Sequence, residues 1–122
     1  MKYFGFGNGL FLVLAILSAC GREINIPGLD AQKWKEDGQG CKGYREKVAS
    51  LLLEQRQLLI GANEKEIKAL LGKPLRQELQ TRGQQYFVYP VQGGAACKNP
   101  AQEVILRIRF DALDRVTELA LY

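Results

Sequence analysis

Three cysteines, Cys20, Cys41 and Cys97, are the side chains of this 122-residue chain best suited to covalent chemistry. A thiolate can be a nucleophile, a metal ligand or half of a disulfide, and its surroundings decide which. None of the three belongs to a Cys-x-x-Cys pair, and the chain has no histidine. The missing imidazole excludes His-dependent triads, the usual proton shuttle near neutral pH and most catalytic zinc sites. No carboxylate or hydroxyl stands out as a nucleophile beside its base. The expectation is a protein that is not an enzyme, with no catalytic residue, no metal and no cofactor.

Cys20 closes a leader with its own physical logic. Lys2 precedes an apolar stretch, Leu10 to Leu17, followed by the small residues Ser18 and Ala19. Charge, apolar run and small residues are the layout of an export signal, and the run is too short to span a bilayer comfortably. Leu17, Ser18, Ala19 and Cys20 resemble the lipobox of bacterial lipoproteins. That resemblance implies a diacylglycerol (a palmitate-type anchor) on the Cys20 thiol, cleavage in front of Cys20, and two or three acyl chains that hold the protein stably on a membrane. The alternative is a plain secretory signal, with Cys20 paired to another cysteine. Gly21 follows without an acidic cluster, so by similarity to sorted lipoproteins the expected location is the outer membrane, facing the periplasm.

Setting Cys20 aside leaves Cys41 and Cys97, an even pair in a compartment where disulfides persist. Bonded together they would close a loop of about 57 residues and contribute roughly 4 kcal/mol in the chain-entropy model. A redox pair or a metal site is the other option, though no third ligand is evident.

Positioning these groups requires a folded domain, and the pattern of apolar residues outlines one. Residues 21 to 32 hold few large apolar side chains and contain Pro27 and Gly28, the composition of a tether. We therefore expect a signal peptide at 1–19, a lipidated flexible tether at 20–33 and a single domain at 34–122. Trp34 to Cys41 fits neither period and reads as an ordered approach to a helix, with Trp34 completing the core. From Tyr44, Val48, Leu51, Leu52, Leu58 and Leu59 follow helical spacing, leaving Arg45, Glu46, Lys47, Glu54 and Arg56 for the surface. Gly61 ends that helix. Asn63 and Glu66 form a capping-box signature for a second helix carrying Ile67, Leu70 and Leu71, and Gly72 and Pro74 stop it.

Beyond Pro74 the period becomes two. Arg76 to Thr81, Gln85 to Val91, Val104 to Phe110 and Val116 to Tyr122 read as strands. Arg82-Gly83 and Asp111 to Asp114 read as turns of a meander. The third strand alternates most clearly, placing Val104, Leu106, Ile108 and Phe110 opposite Ile105, Arg107 and Arg109. The class is α+β in two layers: two N-terminal helices packed on an antiparallel sheet of three to four strands. Seventeen basic against thirteen acidic residues, a net charge of +4, is no nucleic-acid signature.

Leu59 to Asn63, Ile67, the run Leu70, Leu71, Gly72, Lys73, Pro74, then Tyr86 to Tyr89 and Arg109, Phe110, Asp111, resemble the SmpA/OmlA (BamE-like) lipoprotein family over roughly Leu58 to Leu121. The resemblance implies two packed helices on an antiparallel sheet and a non-enzymatic role in binding or assembling envelope proteins. The Cys41–Cys97 pair and the stretch Trp34, Asp37, Gly40, Cys41, Arg45 depart from that pattern. The same layout also resembles the modules of secreted β-lactamase inhibitory proteins, which implies the alternative of a ligand-binding or inhibitor module displayed at the membrane.

A partner-binding surface is best sought at Tyr86, Tyr89, Arg107 and Arg109, an aromatic and basic set suited to a protein or to anionic headgroups. A solvated sheet face is the plainer alternative. Asp111 and Asp114 suggest calcium ligands or, more simply, turn residues. Glu36 and Asp37 with Arg45 read as solvated mixed charge.

Overall fold

A computed structural model describes residues 22–94, 96–98 and 102–122; Cys20 and the leader lie outside the described residues. Among the described residues three helices precede four strands: α1 (Ala31–Glu36), α2 (Tyr44–Glu54), α3 (Glu64–Leu71), β1 (Arg76–Leu79), β2 (Gln85–Gln92), β3 (Val104–Phe110) and β4 (Val116–Leu121). The strands form one antiparallel sheet in the order β1-β2-β3-β4, a meander. The α+β class and the four strands follow the expected pattern, with one helix more than expected.

The sheet is half-buried because its strands alternate. Phe87, Tyr89 and Val91 of β2, Leu106, Ile108 and Phe110 of β3, and Val116 and Leu119 of β4 meet Trp34, Val48, Leu52, Leu59, Ile67 and Leu71 from the helical layer. Phe87 is the centre of an aromatic cluster, 4.6 Å from Phe110 and 6.4 Å from Tyr89 between ring centroids. α3 starts with a complete capping box, Asn63 accepting from the Glu66 N–H and Glu66 accepting from the Asn63 N–H. Its three apolar residues, Ile67, Leu70 and Leu71, are all buried.

The folded domain starts before Trp34, which corrects the expected tether at 20–33. Ile26 is 2% exposed, and Ile24 and Leu29 pack against the core. Pro27 and Gly28 are the middle of a β-turn, closed by the Leu29 N–H donating to the Ile26 carbonyl, with Gly28 at φ +88 where a side chain would be strained. Asp30 then caps α1 by accepting from the Gln32 and Lys33 N–H groups. Three isolated apolar residues around a turn carry no period, so composition alone made this segment look like linker.

α2 is shorter than its apolar pattern. It ends at Glu54 and continues as a 3₁₀ turn, Arg56–Leu58, which rotates Leu58 to 44% exposure while Leu59 stays in the core. Every residue of the core cluster lies between Ile26 and Leu119.

Candidate functional site

Cys41 and Cys97 are joined, with their Cα atoms 5.3 Å apart across 56 positions of sequence. The bond fastens the loop between α1 and α2 to the loop after β2. The fit there is close: a Cβ on Gly40 would lie 2.7 Å from the Val91 carbonyl carbon.

Asp37 and Arg45, expected on the surface, are 2% and 3% exposed. Gly43, the residue before α2, has no side chain to cap the helix, and Asp37 supplies the cap from the preceding loop. Its carboxylate accepts from the Lys42 N–H at 2.8 Å and the Arg45 N–H at 3.0 Å, at the positive end of the helix. The Arg45 guanidinium turns inward, donating to the carbonyls of Trp34, Gly38 and Pro90 at 2.9, 3.3 and 3.0 Å. It lies 4.6 Å from the Trp34 ring centroid. Burial pushes its pKa below the ordinary value and the nearby Asp37 opposes that. The loop, α2 and β2 are thus joined by one cation, and the residues that depart from the family-like pattern form a structural knot.

The proposed aromatic and basic set divides between the two faces of the sheet. Tyr86 and Tyr89 are three positions apart on one strand and therefore point to opposite faces. Tyr89 is fully buried on the helix side, where its hydroxyl donates to the Gly72 carbonyl at 2.9 Å. It cannot belong to a surface patch. Tyr86, Arg107 and Arg109 share the outer face, as the cross-strand pairs Tyr86–Arg109 and Val88–Arg107 require.

On that face the Arg107 guanidinium is 4.0 Å from the Tyr86 ring centroid and 5.1 Å from that of Tyr122. It also contacts Glu78, from its Nη2 to Oε1 at 3.0 Å, while Arg76 Nε holds the other Glu78 oxygen at 3.0 Å. The Arg76 hydrogen bond, then the charge of Arg107, holds the Glu78 carboxyl below the usual range. Arg109 bridges Gln84 at 2.6 Å and Glu118 at 3.8 Å. Beneath these side chains Val88 is fully buried although it faces away from the helical layer, because the arginine stems cover it. The face carries one cation, Arg107, stacked on two aromatics and flanked by two arginines held by carboxylates and an amide. Tyr122 and Glu78 were missed in the sequence, Tyr122 because it closes the last strand and Glu78 because short β1 gives little pattern.

Comparison of the chain with protein-family models, with curated proteins and with solved structures finds no match in any of the three. The case for a site therefore rests on geometry.

Asp111 serves its turn: one carboxylate oxygen accepts from the Leu113 and Arg115 N–H groups. Asp114, at φ 62, accepts instead from the Glu64 N–H at 3.3 Å. Burial, then the Asp114 carboxyl, raises the Glu64 pKa. Among the described residues no cluster of three or more His, Cys, Asp or Glu could hold a metal ion.

The division of the two tyrosines is directly testable. Tyr89→Phe removes a buried hydrogen bond and should cost about 1 kcal/mol, whereas Tyr86→Phe should stay within about 0.5 kcal/mol, both by urea denaturation. Burial raises the Tyr89 pKa, opposed by the charge of Arg45. Below the ordinary value of about 10 both states keep the proton. Above it the unfolded chain loses its proton first, so stability must fall as pH rises past that value. Tyr89→Phe should flatten this alkaline loss, and an unchanged slope would refute the assignment.

Proposed function

We propose that this protein is a lipid-anchored envelope protein of the SmpA/OmlA type that acts without catalysis, presenting the outer face of its sheet to another envelope protein. The carrying observation is the Tyr86–Arg107–Tyr122 stack on the sheet face opposite the described helices. Tyrosine and arginine are enriched among residues that dominate binding energy, and this arginine is held in place before any partner arrives. Arg76, Arg107 and Arg109 outnumber Glu78 and Glu118 there, which suits a partner surface richer in carboxylates. The lipobox-like Leu17 to Cys20 supports a membrane location, and the helices α2 and α3, with Gly72-Lys73-Pro74 following Leu71 before an antiparallel sheet, support the family reading.

The test is crosslinking in intact cells with the Cys20-anchored protein as bait, followed by mass spectrometry of the membrane fraction. Capture of an outer-membrane barrel or its assembly partners is expected. Arg107→Ala should reduce that capture by about thirtyfold, the loss expected of a truncated hot-spot arginine, in protein that stays folded by circular dichroism although it loses the packing of the arginine stem. Equal capture by wild type and Arg107→Ala would assign binding to another surface.

A further inference from the structure

A concavity of about 810 Å³ lies between the segment Arg22 to Ala31 and one side of α3. Its size is within the roughly 300–1,000 Å³ of pockets that enclose small molecules. Ile26 and Leu70 form its floor, half-buried Ile24 and Leu29 and exposed Ala69 its walls. Arg22 Nε lies 3.5 Å from Glu66 Oε2 and ties the N-terminal wall to α3. Lys35 ties α1 to the same helix by donating to the Ala69 carbonyl at 2.9 Å.

Sequence adjacency limits how far the attachment point Cys20 can lie from this groove. Arg22, a lining residue, is two positions from Cys20, so the two Cα atoms are at most about 7 Å apart. We infer that the groove shelters one of the acyl chains carried by Cys20, an inference that rests on the lipidation reading above. Ile24, four positions after Cys20 in the sequence, already packs against the core. The groove has a charged rim, Arg22, Glu23, Lys35 and Glu66, around the apolar side chains of Ile24, Ile26, Leu29 and Leu70, and burial of hydrocarbon on those side chains would drive an acyl chain in. In this state the protein carries part of its anchor within its own fold while it is off the membrane.

The test uses cells fed a fatty acid bearing a terminal diazirine. The mature protein is extracted in mild detergent, irradiated, and its peptides are analysed by mass spectrometry. Crosslinks from Cys20 to the peptides holding Leu29 and Ala69-Leu70 are expected. Ala69→Trp, which fills the groove from an exposed position, should abolish them while incorporation of label at Cys20 and the thermal midpoint stay unchanged. Label at Cys20 with crosslinks only to lipid or detergent overturns the inference and leaves the lipidation reading intact. Absence of label at Cys20 overturns both.

Discussion

Replacing Arg45 with methionine should destabilise the domain by about 3–5 kcal/mol, the cost of breaking a buried charge network on one side. Methionine keeps an unbranched stem and a similar helix propensity, so the loss reports chiefly on the guanidinium. Three backbone carbonyls, those of Trp34, Gly38 and Pro90, lose their donor, and the buried Asp37 carboxylate loses its nearest positive charge while keeping its two N–H donors. For a domain of about 100 residues this corresponds to a fall in Tm on the order of 15–30 °C. Arg45→Lys should recover little, because one ammonium cannot reproduce the planar fork that reaches carbonyls in several directions. Thermal and urea melts of the three proteins decide the matter. A loss below about 1 kcal/mol would mean that the Asp37 cap alone holds the loop.

Opening the disulfide should cost about 4 kcal/mol by the chain-entropy argument, whether by Cys41→Ser with Cys97→Ser or by reducing wild type. Agreement between the two routes is the control, since reduction leaves every side chain except the two sulfurs unchanged. The bond holds the same loop that Arg45 ties to β2, and Gly40 presses on Val91 between them. The two losses should therefore be non-additive, as expected for residues sharing one structural unit. Either loss alone takes a large part of the 5–15 kcal/mol typical of a domain, and the combined variant should lose less than the sum of the two in urea denaturation. A disulfide-free variant with unchanged urea midpoint would show that the loop is held without the bond.

Local patterns were read well because their causes are local. Alternation in Val104–Phe110 has a period of two, and the strand has those bounds. Asn63 and Glu66 need only each other to cap α3, and they do. The pairing of Cys41 with Cys97 follows from parity once Cys20 is set aside. Parity also separates Tyr86 from Tyr89, yet grouping them by residue type placed both on one patch. Period two on β2 puts Tyr89 with Phe87 and Val91, in the core.

The sequence by itself determined the class of the domain, its four strands, two of its helices and its cysteine bond, since each depends on spacing along the chain or on simple counting. The tertiary structure alone decided that Asp37 and Arg45 are buried, that Ile26 belongs to the core and that Arg107 is held between Tyr86 and Tyr122. The partners of those groups are distant carbonyls, rings and helix faces. A charged side chain reads as surface unless the fold brings enough acceptors to it, and here the loop before α2 and strand β2 supply them.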